Sequence, residues 1–127
     1  MSVTAAFIVP HPPIIIPAVG RGKEREIQQT IDAYNKIACQ IAELKPDTII
    51  VASPHATMYA DYFHISPGTI ANGDLGRFGA LQASVQTGYD SEFSQTLEKI
   101  AKEAGISAGT LGERDKTLDH GTIVPLL

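Results

Sequence analysis

The chain has 127 residues, 43% of them apolar and 19% charged, with no biased tract. That suffices for one domain with a buried core and is too little for two. A formal charge of −4 and a pI near 5.4 supply no basic footprint, so neither a nucleic acid nor an anionic membrane is an expected partner. The longest apolar stretches, Ile14–Ile16 and Thr48–Ala52, are too short to cross a bilayer. The first residues, Met-Ser-Val-Thr, lack the basic start and apolar run of a secretory signal, and the single cysteine, Cys39, leaves no internal disulfide framework. A cytoplasmic protein is expected.

Residues 4–9, Thr-Ala-Ala-Phe-Ile-Val, form an apolar run stopped by Pro10 and predict a short buried strand. Four prolines between Pro10 and Pro17 predict an extended loop rather than a helix. Over residues 24–44, Ile27, Ile31, Tyr34, Ala38 and Ile41 build one apolar stripe, the mark of an amphipathic helix that Pro46 ends. Thr48–Ala52 is apolar throughout and β-branched at four of five positions, which suits a strand covered on both faces in a parallel sheet. Residues 61–66 alternate and predict a third strand. Residues 68–79, with four glycines and no strong period, predict a long loop lining a site. Leu81–Gln86 is a weaker strand pattern. A second helix is expected over Ser91–Ala104, capped by Asp90, with Phe93, Leu97, Ile100 and Ala104 inward and Gly105 closing it. The stretch from Ile106 to Leu127 is turn-rich. The order of these elements predicts an α/β fold, a mainly parallel sheet flanked by helices. Because the chain closes on the apolar Val-Pro-Leu-Leu, it is expected to be the N-terminal portion of a larger domain.

Two histidines occupy equivalent places. His11 follows the first predicted strand after one proline, and His55 follows the second after one proline. In an open parallel α/β sheet, ligands bind outside the carboxyl ends of the strands, and a right-handed crossover would bring both imidazoles to one rim. Neutral imidazole is the commonest protein ligand for Fe, Zn, Cu and Ni. A lone loop histidine is more often solvated, and no local His-Glu-x-x-His spacing is present, so both readings of this pair stand. His120 lies in Leu118-Asp119-His120-Gly121, where Asp119 either orients the imidazole or caps a helix beginning near Thr122. His64 shares a strand face with Tyr62 and Ser66 and reads as structural. Cys39 reads as a packed small residue in the first helix. Gly20-x-Gly22 lacks the third glycine of a dinucleotide fingerprint, and no Gly-x-Ser-x-Gly elbow supports a triad hydrolase.

Four segments together resemble the B-subunit (LigB-type) domain of class III extradiol ring-cleavage dioxygenases. They are His11-Pro12-Pro13, Ala52-Ser53-Pro54-His55, the glycine-rich Gly73–Gly79, and Leu118-Asp119-His120-Gly121 with Val124-Pro125-Leu126. The run Met58–Gly68 is similar to the subset found in AmmeMemoRadiSam system proteins. The resemblance covers nearly all of residues 1–127, as one partial domain. It implies ferrous iron held by two histidines and one carboxylate, with open positions for a catecholic substrate and O₂. Carried over by position, His11 and His55 match the metal ligands, and His120 matches an active-site histidine for acid/base work or substrate contact. The family's carboxylate comes from later in the domain and has no counterpart here, so weak iron affinity and little ring cleavage are expected of these 127 residues. A homo-oligomer or a partner subunit is left open. Alternatives are a non-catalytic Memo-like metal-binding or interaction module, a zinc-dependent hydrolase on the same histidines, and a purely structural α/β domain.

Overall fold

The computed structural model describes residues 2–112 and 117–127 of the chain. Its longest element, helix α2, spans Gln28–Leu44 and is preceded by a 3-10 turn over Lys23–Ile27. Lys45 ends it in the left-handed conformation (φ 47°), its N–H donating to the Ile41 carbonyl, and Pro46 prevents any continuation. The expected stripe forms with one change: Ile37 is half-buried and Ala38 exposed. No residue of α2 is fully buried, so its apolar face is only partly covered. Tyr34 on that face donates a hydrogen bond to the Pro10 carbonyl, tying the helix to the segment that carries His11.

The proline-rich stretch is not the extended loop its composition suggests. Pro13 opens a 3-10 turn over Pro13–Ile15, and Pro17 opens the short helix α1, Pro17–Gly20. At the first position of a helix the missing N–H costs nothing, because that donor would have no intrahelical acceptor, and the fixed φ is already helical. Two of the four prolines, Pro13 and Pro17, therefore start turns here instead of preventing them.

The strands also fall differently. Residues 4–9 and 48–52 run without strand pairing among the described residues, and Ile8, Ile49 and Ile50 are exposed. The glycine-rich stretch expected as a loop holds strand β2, Ile70–Leu75, paired antiparallel with β3, Ala80–Gly88, from Ile70↔Gly88 to Asp74↔Ser84. A register shift at Asp74/Leu75 then brings Leu75 opposite Ala80. A 3-10 turn, Gly76–Phe78, closes this hairpin, and Gly79 supplies the positive φ (78°) that ends it. The glycine inside β2 serves packing: a Cβ on Gly73 would stand 2.8 Å from both Ile123 Cδ1 and the Leu118 carbonyl oxygen. The third expected strand shrinks to β1, Phe63–His64. It runs parallel to β4, Ala108–Gly109, with Phe63 donating to Ser107 and Ile65 to Gly109, both at 2.8 Å.

Helix α3, Ser91–Glu103, begins where its capping residue predicts, with the Asp90 carboxylate accepting the Phe93 N–H at 2.9 Å. Its buried side is rotated from the expected one. Ala101 is buried, whereas Leu97 and Ile100 are 39% and 55% exposed, because β4 packs beside this helix and no described residue fully covers its other apolar edge. Of the turn-rich stretch over residues 106–127, positions 113–116 lie outside the described residues. The rest holds β4 and helix α4, His120–Leu126, capped by Asp119 two residues earlier than expected. The fold is thus α/β, with its parallel pairing confined to β1–β4 and the larger sheet antiparallel.

The core lies where α4 meets the β2–β3 hairpin. Leu75, Ala80, Ala83, Ile123 and Val124 are buried there, backed by Ile16, Val19, Val85 and Leu118. Burying a side chain such as Leu75 or Ile123 completely contributes about 1.5–3 kcal/mol. This core seats α4, and so sets where His120 stands. Among the described residues no helix is long and apolar enough to cross a membrane.

Candidate metal centre

Two loops and the start of a helix converge on one point. His11 lies just before the Pro13 turn, His55 follows Pro54 in the loop after residues 48–52, and His120 is the first residue of α4. His11 Nε2 and His55 Nε2 are 2.7 Å apart. The His55 and His120 rings lie with centroids 4.0 Å apart, and His11 and His120 with centroids 5.7 Å apart. One nitrogen from each of the three lies within 4.8 Å of the others, and no carboxylate joins this group among the described residues.

The donor set fits a metal ion. At an imidazole–metal distance of roughly 2.0–2.1 Å, neighbouring ligand nitrogens stand roughly 2.9–3.4 Å apart. The His11–His55 pair, at 2.7 Å, is slightly closer than that spacing and the trio, within 4.8 Å, is wider, so the rings must shift to close the set around an ion. At 2.7 Å two imidazole lone pairs cannot face each other without a proton or a cation between them.

The surroundings act on His120 and Asp119 in opposite senses. Burial lowers the His120 pKa below its ordinary value; a charge on His55 lowers it further and one on His11 adds to this, while Asp119 partly opposes the shift. His120 is thereby biased to the neutral form that binds a metal or accepts a proton. For Asp119, burial acts to raise the pKa, but it is outweighed by hydrogen bonds from Ser53, Gly121 and Thr122, and the carboxyl is held below its usual range. Those bonds occupy the carboxylate: Oδ1 accepts from Ser53 Oγ at 2.5 Å and from the Gly121 N–H at 2.7 Å, and Oδ2 from Thr122 Oγ1 at 3.2 Å. Of the two roles open to Asp119, the cap is the one its hydrogen bonds serve. Phe78 presents its ring to His120 at a centroid distance of 5.2 Å and forms an apolar wall beside the cluster.

The other candidates stand apart. His64 lies in β1 with its Nε2 buried and without a hydrogen-bond partner among the described residues, 5.7 Å from the Tyr59 ring. Cys39 is exposed on α2 rather than packed. Gly20 closes α1 where a Cβ would meet the Ile14 carbonyl oxygen at 2.6 Å, a packing role with no nucleotide loop. Sequence reasoning did not single out Ser53, Gly121 or Phe78 individually. The first two lie within two residues of a histidine, a signal that was available. Phe78 reaches His120 only through the 3-10 turn after β2, which no local pattern announces.

With these histidines brought together from three separate segments, the match to known proteins has a structural setting. The sequence matches the family described as the catalytic LigB subunit of aromatic ring-opening dioxygenase over residues 5–127, and the chain belongs to that family. Among curated proteins it is similar to Protein CA_C1420 of Clostridium acetobutylicum, at 33% identity over 133 residues, covering 99% of this chain and 28% of that protein. The chain thus spans less than a third of the length of that relative. No solved structure matches it significantly.

Proposed function

We propose that this chain carries the histidine part of a non-haem iron site for extradiol-type cleavage of a catecholic ring, with His11 and His55 as the metal ligands. The observation that supports it most is the convergence of His11 and His55, from two separate loops, with His120 at the start of α4. Ferrous iron, when bound, supplies open coordination positions for the substrate and O₂. His120 stands beside the ligand pair, and its bias to the neutral form equips it to accept a phenolic proton. Phe78 flanks His120 and offers an aromatic ring an apolar surface to pack against. Asp119 is committed to the α4 cap, and no other carboxylate joins the cluster among the described residues; a site held by imidazoles alone favours weak iron binding and poor catechol cleavage.

Anaerobic Fe(II) titration tests the metal assignment. About one equivalent should bind, with His11→Ala and His55→Ala each abolishing it; binding indifferent to both substitutions overturns the assignment. Catechol is then added with O₂ and ring-cleavage product followed by absorbance. Fast turnover by these 127 residues would contradict the need for a carboxylate ligand.

One feature favours zinc as a second reading: three imidazoles, with no carboxylate beside them among the described residues, form the donor set of some catalytic zinc sites, where the metal lowers the pKa of a bound water. Ester turnover that persists in oxygen-free buffer and requires all three histidines distinguishes this from the oxygenase.

A further inference from the structure

We propose that Ser53, Asp119 and Gly121 are positioning residues that lock the His55 loop to the start of α4 and so set the spacing of the His55 and His120 imidazoles. The spacing is meaningful only if the cluster holds a metal, so the inference rests on the function proposed above.

Ser53 and Asp119 are 66 positions apart in sequence, each within two residues of a histidine of the cluster. The Ser53 hydroxyl donates to Asp119 Oδ1 at 2.5 Å in a partly buried setting, and Ser53 Oγ in turn accepts the His55 N–H at 3.3 Å. The same Oδ1 accepts the Gly121 N–H at 2.7 Å, while Oδ2 takes the Thr122 hydroxyl. One carboxylate thus holds the His55 loop with one bond and the helix that begins at His120 with two. A hydrogen bond to an ionised acceptor is stronger than one between neutral groups, and partial burial removes water as a competing donor.

Gly121 makes the close approach possible. A Cβ there would stand 2.5 Å from Ser53 Oγ and 2.9 Å from both Asp119 Oδ1 and His55 Cδ2. Any side chain at 121 would push the serine and the His55 ring away from α4. The backbone conformation at 121 does not demand glycine; the neighbouring loop does. Groups that orient metal ligands from behind typically change metal affinity by about 10–100-fold when removed.

Ser53→Ala, Ser53→Thr and Gly121→Ala are compared with the unaltered chain by two measurements. The first is made without metal: the nuclear Overhauser contact between the His55 and His120 rings, whose centroids are 4.0 Å apart. Ser53→Ala and Gly121→Ala should weaken it, and Ser53→Thr, which keeps the hydroxyl, should retain it. The second is Co(II) affinity with the visible spectrum of the bound ion. Ser53→Ala should lose about tenfold or more and alter the spectrum, and Ser53→Thr should recover both. An unchanged ring contact together with unchanged Co(II) binding in Ser53→Ala and Gly121→Ala overturns the proposal. If the unaltered chain fails to bind Co(II) while the ring contact still depends on Ser53, the metal function fails and the loop lock stands. A fall in melting temperature with both readouts intact shows a structural tie only, and also overturns it.

Discussion

The charge state of His120 has a consequence for stability. Its folded-state pKa lies below the unfolded value of 6.5, chiefly because burial disfavours the imidazolium. Between the lowered value and about 6.5 the unfolded chain therefore binds more protons than the folded one, so stability rises with pH across that window. It is lost as pH falls from 6.5 through the folded pKa. His120→Gln, which cannot titrate there, should flatten this slope. Urea midpoints of the metal-free protein and the variant, measured at intervals from above pH 7 down through the window, check it; parallel curves would show that His120 carries none of the dependence. The pairing of His11 with His55 was legible because each follows an apolar run and a proline. The role of Asp119 was legible only as a choice between orienting the imidazole and capping a helix. Which of these holds depends on Ser53, a partner 66 positions away that local pattern does not reveal.

Among elements, the β2–β3 hairpin and α4 carry the core, and the consequences of disturbing them are graded. Leu75→Ala removes a fully buried side chain and should cost about 2–5 kcal/mol in denaturant unfolding. Gly73→Ala should also destabilise, although it adds only a methyl, because that methyl would meet Ile123 and the Leu118 carbonyl. Glycines in residues 68–79 hid β2 for this reason: a strand that accepts close neighbours on one face resembles a loop in composition. The helices α2 and α3 were legible from their 3.6-residue period and their stop signals, though the buried side of α3 was not, since periodicity gives a stripe and the neighbour decides which edge is covered. At α3 the Asp90 cap also accepts the Thr48 hydroxyl, and this bond, followed by the one from Phe93, holds its carboxyl below the ordinary pKa. That contribution to stability is present above the ordinary carboxylate value and disappears as pH falls through the lowered one. Asp90→Ala should lower the melting temperature at neutral pH, with the difference from the parent shrinking in acid.

For the molecule as a whole, the apolar runs 4–9 and 48–52 have the composition of covered strands but no pairing partner among the described residues, and most of their side chains, Ile8, Ile49 and Ile50 among them, face solvent. Pairing is a long-range event, so a strand pattern reports what a segment can do and not which partner it meets. Two measurable consequences differ in direction from those of the core. Amides of residues 4–9 and 48–52 should exchange with solvent much faster than those of β2 and β3, because no ladder protects them. Substituting Ile8 and Ile50 with lysine should leave the unfolding free energy within about 0.5 kcal/mol of the parent for each change, since Ile8 is fully exposed and Ile50 two-thirds exposed. The same changes should raise solubility, because exposed apolar patches drive non-specific association. Light scattering and thermal melts of the double variant read both effects. A large fall in stability would mean that these segments are covered in solution, and slow exchange at residues 48–52 would identify them as paired strands.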